Sequence, residues 1–342
     1  MEGTRAVESS APLISVVIPH HRGRLIDACL ATLKESVCVR YETIVVTSDD
    51  RYTAPEGLIL LRDPGGPAHK RNVAARCAKG QYLIFLDDDT EVSPYTLYQF
   101  WHGFQQLPAA GMLFARIYNA ERRTELDDCG SWLTPTGFLY ARASEAHLDH
   151  DILLQPTRCL ASKSAGCAIR RDVFFAIGGF DASYFILGEE TDLAWRVWLA
   201  GHEVWYWPHV VLWHAFNTSA KPVADYYTLR RIHTYGCRNY LSLLWTNLGT
   251  ARLILTLPLH LSAWLGASVG FLLRGQPRRA LATLRGVYEF GLRLPQLQRK
   301  RARVQATRVR TDRALWPYIA HRVPWIYYPR RLQRYIFNGL HG

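Results

Sequence analysis

The sequence predicts an α/β fold, a mainly parallel sheet flanked by helices, followed by an α-helical C-terminal region. Three observations predict it. Short apolar or β-branched runs alternate with helically spaced segments through the first part of the chain. Clustered aspartates follow two of these runs, as "TSDD" and "DDD", at the strand ends where such sheets bind ligands. Acid then nearly disappears: residues 1–220 carry 20 Lys and Arg against 26 Asp and Glu, whereas residues 221–342 carry 21 against 3.

The elements follow in order. "LISVVIP" (13–19), "YETIVV" (41–46), "LILL" (58–61) and "YLIFL" (82–86) have the length and composition of buried strands. A helix is expected from Leu25 through Cys29, Leu30 and Leu33, and another in "PAHKRNVAARCAKG", with Pro67 near its start and Gly80 placed to end it. Ser93 and Pro94 read as the cap and first residue of a further helix. "SAGCAIRRDVFFAIGGFD" reads as strand, short helix and Gly-Gly turn, followed by a helix in "EETDLAWRVWLAG" that stops at Gly201. "EVWYW" and "VVLWHA", separated by Pro208, are expected to be two strands. The expected units are an extension (1–12), an α/β domain (13–222) and a basic helical region (223–342).

With 49% apolar residues the chain can bury a large core, which excludes a disordered protein. The basic region is interrupted by the uncharged segment 253–273, "LILTLPLHLSAWLGASVGFLL", so a membrane surface suits it better than nucleic acid. That segment has the length of a bilayer span, with Arg252 and Arg274 on its flanks. A span, an in-plane or re-entrant hairpin and a buried helix pair all remain open. The 7 cysteines are scattered with no CxxC pair, which suits a reducing cytosol, and the N-terminus lacks the charged start and apolar core of a secretory signal.

P-loop, dinucleotide, zincin and zinc-ribbon motifs are missing, which leaves carboxylates, histidines and arginines to carry chemistry. Asp87, Asp88 and Asp89 follow the fourth apolar run, and adjacent carboxylates repel unless something positive lies among them. An Asp-x-Asp at a strand end offers hard oxygen ligands that suit Mn²⁺ or Mg²⁺ shared with a diphosphate.

These features together resemble the family 2 glycosyltransferases of the GT-A fold, including rhamnosyltransferase-like members with a membrane-associated tail, over residues 13 to about 217. "SVVIPHHRGRLIDACLATL" is similar to the opening strand and helix, placing Pro19, His20 and His21 at the donor, although His20 and His21 stand where Thr-Tyr is common. "IVVTSDD" matches the second strand, whose acid holds the nucleobase; Thr47 occupies the usual Asp position, leaving Asp49 or Asp50 for that role. "GPAHKRNVAARCAKGQYLIFLDDD" matches most closely, with Arg71 and Asn72 at the donor, Asp87 facing the ribose, Asp88 beside it and Asp89 binding metal. "GGFD" (178–181) and "GEETDLAWR" (188–196) resemble the acceptor loop and acidic motif: Gly179, Phe180, Asp181, Glu189 and Trp195 near the acceptor, Glu190 as catalytic base, and Asp192 as its alternative. His214 stands at the family's metal-binding histidine.

The resemblance implies metal-dependent, inverting transfer of a hexosyl or deoxyhexosyl group from a UDP, dTDP or GDP sugar to a lipid-linked or cell-envelope glycan. The chain is expected at the cytoplasmic face of the cell membrane, peripheral or with one hairpin or span, and without nucleic acid. "QPTRC" (155–159) lacks the Trp of the processive Gln-x-x-Arg-Trp motif, which implies single or few additions. A polyprenyl-phosphate sugar synthase and an inactive glycan-binding scaffold subunit are the alternatives.

Overall fold

The structure of the protein, a computed structural model, describes residues 12–338 apart from 38, 145–149, 217–218 and 220–230. The expected boundary at 222 lies outside the described residues. The alternation comes first: β1 (Ile14–His20), α1 (Leu25–Lys34), β2 (Tyr41–Thr47), β3 (Ile59–Arg62), α2 (Pro67–Cys77) and β4 (Tyr82–Leu86). The middle of the chain forms β5 (Thr90–Val92), α3 (Thr96–Gln106), β6 (Ala110–Asn119), β7 (Leu126–Asp128), β8 (Ser131–Leu133) and β9 (Leu139–Ala141). It continues through α4 (His150–Leu153), β10 (Thr157–Arg158), β11 (Gly166–Arg170), α5 (Arg171–Ala176), α6 (Glu189–Leu199) and β12 (Glu203–His214). The tail holds α7 (Gly236–Asn247), α8 (Thr250–Leu273), α9 (Pro277–Ala306), α10 (Asp312–Ile319) and α11 (Tyr327–Asn338).

The main sheet runs β10-β12-β6-β11-β4-β1-β2-β3. β3, β2, β1 and β4 are mutually parallel, and β12 is parallel to β6, but β11 is antiparallel to both its neighbours, which makes the sheet mixed. Every residue of β1 is buried, with Val17 in the core on one face and Val16 and Ile18 in the core on the other. Burial on both faces is why these strands read as unbroken apolar runs.

Three local expectations change. "EVWYW" and "VVLWHA" form the single strand β12, whose register against β6 shifts between Tyr206 and Val211; this irregularity accommodates Pro208, which has no N–H for a ladder. Ser93 and Pro94 precede α3 rather than start it, because Thr90–Val92 form β5 and Ser93 then pairs with the Thr96 hydroxyl at 3.1 Å. Residues 253–273 belong to one unbroken helix, α8, which removes the hairpin.

Gly80 does not end α2, which stops at Cys77; it packs against β1, its N–H donating to Ser15 Oγ at 2.8 Å. A Cβ there would sit 2.5 Å from Ser15 N and 2.6 Å from Ile14 C, backbone atoms that cannot rotate away. Gly80→Ala is therefore expected to destabilise by about 1–3 kcal/mol, the usual cost of overpacking. Urea unfolding checks this, and an unchanged midpoint would contradict it.

Candidate active site

One end of the candidate site forms where β1, β2 and β4 finish. His20 is buried, with Nδ1 2.8 Å from the Thr47 hydroxyl and Nε2 3.2 Å from Gly23 O, while its neighbour His21 is exposed and meets Ser48 Oγ at 2.8 Å. Pro19 lies in β1, register-paired with Val46. Thr47, at the position where the family carries an acid, accepts the Asp49 N–H at 2.9 Å and so shapes the turn beyond β2. Asp49 is half-buried in that turn and Asp50 is exposed.

Three successive residues of α2 reach into the surrounding loops. Lys70 donates to His20 O at 2.6 Å and to Ser48 Oγ at 3.0 Å, tying β1 to the β2 exit. Burial lowers its pKa, against the pull of Asp88. Arg71, 2% exposed, places Nη2 2.5 Å from Asp87 Oδ1 and Nη1 3.5 Å from Glu189 Oε1. Asn72 donates to Phe180 O at 2.7 Å and accepts from Phe180 N at 2.9 Å. The Asn72 side chain is thus committed to holding the 178–181 turn rather than to the donor. Gly179 fits there at φ 68°, where a Cβ would lie 2.7 Å from Asn72 Oδ1.

β12 antiparallel to β5 pairs His214 with Thr90, setting the imidazole beside the aspartates despite their separation in sequence. Asp87, Asp89 and His214 each offer a ligand atom within 4.8 Å of the others. His214 Nε2 lies 3.5 Å from Asp89 Oδ1 and 3.9 Å from Asp87 Oδ2. Its Nδ1 lies 2.9 Å from Asp127 Oδ2, and Asp127 is held by Lys163 Nζ at 2.5 Å. Burial opposes protonation of His214, yet Asp89 and Asp127 raise its pKa to about 9, so this pocket is built to attract positive charge. Two carboxylates and an imidazole, the imidazole fixed through its other nitrogen by a carboxylate, fit Mn²⁺ or Mg²⁺. Asp127 and Lys163 were not legible in the sequence, because only folding shows that β7 lies against the metal-side histidine.

The acidic motif opens α6. Glu189 is buried against Arg71; Glu190 follows it, and its pKa is pushed well above the usual carboxylate value by burial and by the Glu189 carboxylate. Other residues of this motif and of the 178–181 turn serve the frame. Phe180 is buried, edge-on to Phe85 with centroids 5.0 Å apart, and Trp195 is fully buried, so neither ring is an open acceptor platform. Asp192, the alternative base, is likewise fully buried. It takes Arg196 at 2.8 Å, Lys300 at 2.8 Å and Asn247 at 3.1 Å, which leaves it no path to an acceptor. Lys300 also pairs with Asp181 at 2.7 Å.

The tail therefore supports the loop leading into Glu189. Phe185 sits in a strained γ-turn (φ 65°, ψ −64°) closed by Ile186 N to Tyr184 O at 2.9 Å, and Leu187 also has a positive φ of 69°. Asn239 of α7 turns its amide toward Ile186 O at 2.7 Å and Leu187 O at 2.9 Å.

This is the GT-A fold. Residues 14–230 match the family model "Glycosyltransferase like family 2", and the chain belongs to that family. An uncharacterized glycosyltransferase of Haemophilus influenzae is 25% identical over 183 residues, 50% of this chain and 57% of its own length. The O-antigen biosynthesis protein RfbC of Myxococcus xanthus is 25% identical over 243 residues, 63% of this chain and 18% of its own. The chain thus spans less than two thirds of either relative. The crystal structure of GalNAc-T7 with UDP, GalNAc and Mn²⁺ is similar at TM-score 0.55 and 14% identity, covering 84% of this chain and 58% of that one.

Asp192→Ala leaves Arg196 buried without its carboxylate, while half-buried Lys300 keeps Asp181, and a loss of about 3–5 kcal/mol is expected at neutral pH. Despite burial, Arg196 and Lys300 hold the Asp192 pKa far below its ordinary value. Its stabilisation is therefore complete above an unfolded pKa of about 3.9 and fades as pH falls through the folded value. Urea midpoints should show the variant's deficit shrinking in acid; a deficit independent of pH would contradict the assignment.

Proposed function

We propose that the protein is a metal-dependent, inverting glycosyltransferase that moves a sugar from a nucleotide-diphosphate donor to a hydroxyl of a lipid-linked or cell-envelope glycan. The observation that carries this reading is the continuous path from the Asp87–Asp89–His214 cluster through Arg71 to Glu189 and Glu190, which couples a cation site to a carboxylate of raised pKa. Asp87, Asp89 and His214 would hold Mn²⁺ or Mg²⁺, which when bound stabilises the charge of the departing diphosphate. Asp127 fixes the imidazole, and Arg71 holds Asp87 toward the donor ribose. The ends of β1 and β2, with Asp49 and Asp50, form the nucleoside side.

Glu190 is the base. It takes the acceptor hydroxyl's proton as the oxygen attacks the anomeric carbon, within hydrogen-bond reach. Attack and departure on opposite faces in one displacement invert that carbon. A UDP-type donor is supported by the UDP and Mn²⁺ of GalNAc-T7, with dTDP and GDP types open on the same chemistry. An envelope-glycan acceptor is supported by the relation to an O-antigen biosynthesis protein, and a place on the cytoplasmic face of the membrane by the basic tail and its apolar helix.

Glu190→Gln should lower turnover by roughly 10²–10⁴-fold, the usual worth of a general base, while donor binding persists in a thermal shift with nucleotide sugar and Mn²⁺. Undiminished turnover would instead indicate a lipid-phosphate acceptor, which needs little help from a base. The pH profile gives a second check. Because the folded pKa of Glu190 is raised, the acid limb of kcat/KM should lie well above the ordinary glutamate value of about 4.3. Glu189→Gln removes the adjacent negative charge and should move that limb down; a limb that stays in place would contradict Glu190 as the base.

A further inference from the structure

We propose that α8 and the adjoining outer face of α9 lie flat on an anionic lipid bilayer, in the plane of the headgroup boundary, without crossing it. The proposal deepens the functional reading by fixing how the enzyme meets its membrane, and rests on that reading only for the acceptor being membrane-borne.

Among the described residues α8 alone is long and apolar enough to span a membrane, but its two faces differ. Ile254, Leu255, Leu259, Leu265, Val269 and Leu273 form an exposed stripe at helical spacing; Leu255 is 77% exposed and Leu273 84%. The opposite face is docked on protein. His260 Nε2 lies 3.0 Å from Thr136 O, the His260 ring is 4.1 Å from that of Phe138, and Leu253 and Phe271 are buried. A spanning α8 would draw the β8–β9 connection, with its irregular backbone, into hydrocarbon, where unsatisfied peptide groups are costly. Lying in the plane, the helix puts only the stripe into the acyl boundary.

The neighbouring surface has headgroup-level chemistry. α9 packs beside α8, with Ser268 Oγ donating to Ala280 O at 3.1 Å, and exposes Leu281, Tyr288 and Leu292 interleaved with Arg278 and Arg285. Arginines that bury their stems and keep their heads at phosphate level suit such a boundary. With 21 basic against 3 acidic residues in 221–342, a second copy of this tail would be repelled, whereas anionic lipid is complementary.

The test uses the full chain, vesicles of phosphatidylcholine with or without phosphatidylglycerol, and flotation. Binding is expected only with phosphatidylglycerol, weakened by salt and released by an alkaline carbonate wash. The Leu255→Glu/Leu259→Glu variant should bind at least roughly tenfold more weakly with an unchanged melting temperature, since both side chains are exposed. Retention through carbonate would overturn the proposal in favour of a span. Equal binding to neutral vesicles, undiminished binding by the folded variant, or capture by an acidic protein but not by vesicles would also overturn it. If the variant is unfolded, the carbonate and lipid-composition arms on the unaltered chain still decide. A thermal shift with UDP and Mn²⁺ reads the donor site separately, so loss of the functional reading is distinguishable from loss of this one.

Discussion

A buried guanidinium organises this site. Arg71 meets Asp87 at the end of β4 and Glu189 at the start of α6, and without it buried Glu189 and half-buried Asp87 would each lose a counter-charge. Its neighbours on α2 extend the constraint. Successive helical residues point about 100° apart, so Lys70 is free to tie the ends of β1 and β2 while Asn72 holds the turn at Phe180. Less than one turn of helix thus ties together the ends of β1, β2 and β4, the 178–181 turn and the start of α6. Displacement of α2 would disturb the ends of β1, β2 and β4 and the acidic motif together.

The remaining anchors come from far along the chain. Pairing of β12 with β5 delivers His214, and β7 supplies the Asp127 that orients it. The tail shares its core with the α/β domain through Leu244, Leu315 and Ile319, so the basic region is structurally continuous with the α/β domain. Lys300 and Asn239 connect that region to the strained loop before Glu189, which places the tail helices and the acidic motif in one packed body.

How much was legible follows from which forces act locally. β1, β2 and β4 were readable because burial on both faces demands continuous apolar runs, and the Asp-x-Asp because it falls where such a strand ends. β12 was misread because a proline normally breaks a ladder, and only the pairing with β6 reveals the irregularity that absorbs it. Of the residues placed at the acceptor through the family resemblance, Phe180 and Trp195 prove to be buried framework and Asp181 an ion-pair partner of the tail. A motif fixes position in the chain but not which way a side chain faces. Lys70, Asp127, Lys163, Asn239 and Lys300 gave no signal, since each acts on groups distant in sequence; the nearest hint was two consecutive cations in the alanine-rich helix α2.

The central claim is that Asp87, Asp89 and His214 share one divalent cation while Asp88 is not one of its ligands. Mn²⁺ binding followed by electron paramagnetic resonance tests it most directly, because it requires no knowledge of the sugar or acceptor. Asp89→Ala and His214→Ala should abolish or severely weaken binding, Asp127→Asn should weaken it by roughly 10–100-fold as expected for a ligand-orienting partner, and Asp88→Ala should bind much as the unaltered protein does. Equal losses for Asp88→Ala and Asp89→Ala, or full binding by His214→Ala, would contradict the account.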